Sequence, residues 1–156
     1  MFQPSKLRSN QNIIFAVITI IFLVTSCQLK LVSDYDAGVA EAIMEMAKTV
    51  DYFYGKILES EESARPYSEY SEDYLNIEIE LRALVMRNKI RPLNEESTKI
   101  SETILEKWTK YRDAHKEKDT YKSVLAKLHR ERFTKLFTAM SIAEEAKKLT
   151  SSDMND

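Results

Sequence analysis

The chain has one cysteine, two glycines, three prolines, two histidines and one tryptophan in 156 residues. Each scarcity closes a class of protein. One cysteine, Cys27, forbids an internal disulfide and any zinc site built on clustered thiolates. The two histidines, His115 and His129, are distant, and neither has a glutamate three residues before it, so the Glu-x-x-His pairs of a di-metal bundle are missing. A c-type haem lacks its Cys-x-x-Cys-His attachment, and a calcium loop lacks its Asp/Asn spacing and central glycine. Gly38 and Gly55 are too few to punctuate a β-sheet domain, which needs turn residues every 8–12 positions or so. No Gly-x-Ser-x-Gly elbow is present to raise a nucleophilic serine. We therefore expect no metal and no cofactor.

What is present begins at the N-terminus. Lys6 and Arg8 precede an apolar run over 13–24, followed by Thr25, Ser26 and Cys27. A charged start, an apolar core and small residues before a cut site make a secretory signal. The run would cover roughly 18 Å as a helix, short of the ~30 Å hydrocarbon core of a bilayer. The stretch 24–27 resembles the lipobox of bacterial lipoproteins. The resemblance implies acylation of Cys27, cleavage between Ser26 and Cys27, and attachment of the mature chain to a membrane through lipid. Two acyl chains give lasting attachment where one gives reversible binding. Gln28 in place of an aspartate resembles the outer-membrane sorting class, which would put the domain in the periplasm of a Gram-negative cell. An uncleaved N-terminal anchor is the competing reading.

Cleavage would leave 130 residues carrying 21 basic and 25 acidic side chains, a net charge of −4. A chain of this size supports one core. Mild acidity argues against a nucleic-acid partner, which demands a basic footprint. Long runs rich in Glu, Lys, Leu, Ala and Met favour helix.

Four helical segments follow from apolar spacing. The first is predicted over 34–58, capped by Ser33 or Asp34, with Tyr35, Val39, Ile43, Met46, Val50, Phe53 and Ile57 on one face in steps of three and four. A polar loop over 59–66 leads to the second, 68–89, with Tyr70, Tyr74, Ile77, Leu81 and Leu84 inward; Pro92 closes it. The third starts at Asn94 or Ser97 and ends near His115, whose partial positive charge would suit a helix C-terminus. A charged connector, 116–119, precedes the fourth, 120–149, with Tyr121, Leu125, Leu128, Leu136, Phe137, Met140 and Ala143 inward. Short connectors make neighbouring helices antiparallel, which predicts an all-α, up-down-up-down four-helix bundle; a three-helix bundle is the alternative. The domain plan is a signal over 1–26, a lipidated tether over 27–33, a bundle over 34–149 and a flexible tail over 150–156.

The mature chain is similar to a family of small uncharacterised bacterial lipoproteins. The similarity is carried by Leu31-Val32-Ser33-Asp34-Tyr35-Asp36, Leu81-Arg82-Ala83 with Arg87, Pro92 with Asn94 and Thr98, Ala114-His115-Lys116 and Ala146-Lys147-Lys148. It implies an exported helical lipoprotein and no activity.

Two groups of residues remain as candidate sites. Glu61, Glu62, Glu69 and Glu72 form an acidic stretch at the far end from Cys27, a candidate docking site for a charged envelope protein. Tyr52, Tyr54, Tyr70, Tyr74 and Trp108 are candidate ligand or interface aromatics, set against an ordinary role as core and rim. The sequence thus points to a non-enzymatic, membrane-tethered interaction or structural module. A bundle binding an apolar ligand is the alternative. An enzyme is a third reading, and it would need a pocket of convergent ionisable groups.

Overall fold

The structure is a computed structural model that describes residues 31–152, with side-chain surroundings through residue 149. The predicted signal, its expected cleavage between Ser26 and Cys27, and the first residues of the predicted tether lie outside the described residues. Four helices make up the fold: α1 (Ala37–Glu59), α2 (Ser71–Lys89), α3 (Glu95–Lys118) and α4 (Ser123–Ser152). Two single 3₁₀ turns, Glu62–Ala64 and Tyr67–Tyr70, connect α1 to α2.

The helices pack in a ring, α1 on α2, α2 on α3, α3 on α4 and α4 back on α1. Ser33, just before α1, meets Asn94 at the start of α3, while Asn94 meets Asn88 in the last turn of α2 and Lys147 near the end of α4. At the opposite end, Arg65 of the first loop reaches Tyr121 and Ser123. This is the up-down-up-down bundle that the spacing predicts, and each helix has two helical neighbours, which rules out the three-helix alternative. We call the end that holds Ser33 the tether end and the end that holds Arg65 the far end.

The inner stripe of α1 is as the sequence predicts from Val39 to Ile57, with Tyr54 also buried; Tyr35 is half-buried. The cap is not. Asp36 Oδ1 accepts from the Val39 N–H at 3.1 Å, and Ser33 is instead buried on Asn94. Helix α3 runs past His115 to Lys118, where Asp119 closes it in the left-handed region at φ 49°. Aspartate tolerates that conformation better than most residues with a β-carbon. The connector is accordingly 119–122, and α4 starts at Ser123.

The largest correction falls on α4. Leu125 and Leu128 face solvent, 37% and 40% exposed, and the buried stripe is Ala126, His129, Phe133, Phe137, Met140, Glu144 and Lys147. Choosing leucines placed the first two turns about one residue out of register. The predicted tail is helical through Ser152.

Candidate functional site

The tether end holds a polar cluster buried among apolar helices. Glu144 comes inward because it follows Met140 by four residues on the buried stripe of α4. Its carboxylate is wholly buried and takes both ends of the Arg91 guanidinium, Nη2 to Oε1 at 2.8 Å and Nη1 to Oε2 at 3.0 Å. Lys147 Nζ adds a bond to Oε2 at 2.6 Å, and the Asp36 N–H donates to Oε1 at 2.9 Å. Burial alone would push this carboxyl's pKa up, but the bonds from Arg91, Lys147 and Asp36 outweigh it and hold the pKa below the ordinary value.

The cluster spreads outward from there. Lys147 Nζ also donates to Asn94 Oδ1 at 2.6 Å and Ser97 Oγ at 3.1 Å. Ser33 Oγ donates to the same Asn94 oxygen at 3.0 Å, and Asn94 Nδ2 donates to the Asn88 carbonyl and side-chain oxygen. The Arg91 guanidinium donates to the Asp34 carbonyl, and the Ser33 N–H donates to the Leu93 carbonyl at 2.9 Å. Residues 33–36 are thereby bound to α4 and to the α2–α3 turn before the first helix begins. Sequence alone marks Asn94 and Ser97 as helix-start residues and gives Arg91, Asn88, Glu144 and Lys147 no place in a site. The missed signal was spacing: the α4 stripe continues in steps of three and four onto two charged residues.

At the far end the candidate acidic residues Glu61, Glu62, Glu69 and Glu72 are all exposed. Glu62 has a structural task, since its Oε1 accepts from the Ser123 N–H at 2.8 Å and caps α4 from another loop. Bonds from Ser123 lower its pKa. The basic residues of α4 do not converge on this acidic group. Arg130 pairs with Asp51 through two 2.6 Å bonds, Arg132 bonds the Tyr111 hydroxyl, and Lys135 pairs with Glu131.

Beneath this end lies a core of aromatic and imidazole rings. Tyr54, Tyr70, Tyr74 and Trp108 are all buried and pack edge-to-face around Phe53, with ring centres 4.6 to 6.1 Å from it. Tyr52 is 75% exposed and separate from them. The five candidate aromatics therefore do not line one site: four fill core, and one borders a surface groove. His115 lies in the last turn of α3, as the sequence predicts, but its ring is buried and brings no positive charge to the helix end. Its Nε2 donates to the Arg65 carbonyl at 2.9 Å, which leaves Nδ1 to accept from the Tyr74 hydroxyl at 3.1 Å in the neutral ring. Burial lowers its pKa. His129 stacks flat on Tyr111 at 3.5 Å and bonds the Tyr121 hydroxyl at 2.5 Å; burial, aided by Arg132, pushes its pKa down to about 4.

The depressions with room for a ligand are open grooves on the surface. One of about 400 Å³ runs between α1 and α4, bordered by Met44, Ala47, Phe137 and Ile142 with Lys48 and Asp51 at its polar end. Another of about 630 Å³ continues past Lys48 and Asp51 to Tyr52, Lys56 and Arg130. Among the described residues no three His, Cys, Asp or Glu side chains are placed to hold a metal ion, and no helix is long and apolar enough to cross a membrane. The chain matches no protein-family model, no curated protein and no solved structure.

Proposed function

We propose that this chain is a lipoprotein whose helical bundle is held on a membrane by acylated Cys27 and acts as a non-enzymatic interaction or structural module of the bacterial cell envelope. The observation that carries the reading is how the buried polar cluster is used. Glu144, Arg91, Asn94 and Ser33 spend their hydrogen bonds on seating residues 33–36, the segment that follows Cys27. A lipid anchor at Cys27 is thus coupled to a rigid body through only the few residues before Ser33. In a Gram-negative cell, Gln28 favours the outer membrane with the bundle in the periplasm. The far end then points away from the membrane by roughly the 35 Å length of α1. Glu61, Glu69 and Glu72 are exposed acids there for an envelope protein to meet, beside the exposed Lys116, Lys118 and Lys122, while Glu62 is engaged with α4.

Metabolic labelling with an alkyne fatty acid, comparing wild type with Cys27→Ala and followed by membrane fractionation, tests the tether. Label on the wild type alone, at the mass of a cleaved chain in the membrane pellet, supports it. A soluble, unlabelled wild type sinks it.

The groove between α1 and α4 favours a second reading, binding of an apolar ligand on the surface rather than among Tyr54, Tyr70, Tyr74 and Trp108. Displacement of a fluorescent fatty acid from wild type but not from Ala47→Glu would support it.

A further inference from the structure

We propose that the tether end of the bundle is itself a lipid-contacting surface, in which Leu31, Val32, Ile90 and Leu93 enter the interfacial layer of the membrane and set the bundle upright on it. Leu31 is 74% exposed and Ile90 76%, and Val32 and Leu93 are more than a third exposed. They are gathered in one place. The Ser33 N–H to Leu93 carbonyl bond holds the N-terminal segment beside the α2–α3 turn, and Ile90 opens that turn. Leu31, Val32 and Leu93 border an open, largely apolar groove of about 340 Å³ that Ile100 and Ala143 also line, with the exposed Glu95 and Glu96 on its polar side. Exposed apolar side chains gathered at one end in this way mark an interaction surface.

The backbone adds a second observation. Leu93 sits at φ 57°, in the left-handed region that residues with a β-carbon disfavour and glycine occupies freely. A leucine in that conformation presents an apolar side chain outward at a turn where glycine would relieve the backbone.

The chain itself identifies the occupant. Cys27 is four residues before Leu31, a reach of at most about 14 Å when fully extended. Acylation at Cys27 or retention of the apolar 13–24 run would bring lipid to the same point of the chain. The inference therefore rests on the membrane attachment proposed above, but not on which of the two anchors provides it. Nearby cations are engaged: Lys89 with Glu102, Arg91 and Lys147 with Glu144, Lys148 with Glu145, and Arg87 with the Gly38 carbonyl. Contact is accordingly by apolar insertion rather than by headgroup charge, and uncharged lipid suffices.

The test uses the full chain with Cys27 in place, extracted from membranes and reconstituted into phosphatidylcholine vesicles that contain a nitroxide-labelled lipid. An environment-sensitive dye is attached to Ile90→Cys, to Leu93→Cys or, at the far end, to Val124→Cys, whose native valine is 76% exposed. The expected result is quenching several-fold greater on Ile90→Cys and Leu93→Cys than on Val124→Cys, unchanged in high salt. A chain that floats with the vesicles but quenches equally at all three positions overturns the contact and leaves the tether standing. Blue-shifted but unquenched dye at Ile90→Cys and Leu93→Cys also overturns it, because a protein or a second copy then covers the patch. A chain that does not float overturns contact and tether together.

Discussion

Arg91 and Glu144 face each other through two hydrogen bonds at a point where the glutamate has no solvent exposure. Removing one partner of such a pair leaves the other charge buried without compensation, at a cost of about 3–5 kcal/mol. Glu144→Ala strands both Arg91 and Lys147 and frees the Asp36 N–H. We expect loss of stability of that order in urea unfolding, with faster amide exchange at Asp36. Since the folded carboxyl has its pKa below the unfolded value of about 4.3, its contribution is complete above that pH and is lost as pH falls through the folded value. Wild type should lose more stability than Glu144→Ala as pH falls below about 4.3, the difference being the Glu144 contribution.

Arg65 organises the other end. It is 3% exposed and donates to the Ser60 carbonyl, the Tyr121 carbonyl and Ser123 Oγ, while its own carbonyl accepts from His115. A lysine has the charge but not the planar fork, so Arg65→Lys cannot serve the loop and the α3–α4 connector together. Buried carbonyls left without donors cost about 1–3 kcal/mol each. Both Arg65→Lys and Arg65→Met should destabilise by at least one such loss, read as a lower urea midpoint with an unchanged slope.

The register of α4 explains how far the fold was legible in the sequence. In α1 the deep positions are large and apolar from Val39 to Ile57, so hydrophobic spacing and burial agree. In α4 the inward positions near the start are Ala126 and His129, narrow or polar because Tyr111, His115 and Tyr121 already fill that end, while Leu125 and Leu128 lie outside. Side-chain hydrophobicity then misleads where periodicity would not. The tether-end cluster was hidden for a related reason: Glu144 and Lys147 read as solvated charges until Arg91, from another helix end, is brought against them by the fold. Arg65 was visible only as a lone positive charge in an acidic loop.

That register gives a sharp contrast. Leu125→Ser and Leu128→Ser change exposed positions and should stay within about 0.5 kcal/mol of wild type. Ala126→Leu forces extra methylenes into a site with no exposure and should cost about 1–3 kcal/mol. Thermal midpoints of the three variants decide the matter, and the reverse order would restore the leucine-inward helix.

His129 predicts a separate pH dependence. Its folded pKa of about 4 lies below the unfolded value of about 6.5. Above pH 6.5 or so neither state holds the proton; between the two values the unfolded chain binds it and the folded chain does not. Stability should therefore fall as pH drops through this window, by up to about 1.4 kcal/mol per pH unit from this residue. The lowered His115 acts in the same direction. His129→Phe should flatten the slope between pH 6.5 and 4 in urea titrations, and the imidazole resonance of folded wild type should not titrate until near pH 4.

Tyr54 and Tyr74 differ in one atom's surroundings. Both have no exposure, and burial drives both hydroxyl pKa values upward. The Tyr74 hydroxyl bonds His115 Nδ1, whereas the Tyr54 hydroxyl has only the adjacent Tyr121 hydroxyl beside it, outside good hydrogen-bonding geometry, and Tyr121 is engaged with His129. A buried hydroxyl without a partner costs about 1–3 kcal/mol of desolvation, and a satisfied one contributes about 0.5–1.5 kcal/mol. Tyr54→Phe should thus leave the protein as stable as wild type or more so, and Tyr74→Phe should weaken it by roughly the value of one hydrogen bond. Calorimetric unfolding of the two variants separates these signs. Equal destabilisation by both would mean that the Tyr54 hydroxyl is bonded in solution, to Tyr121 or to a buried water.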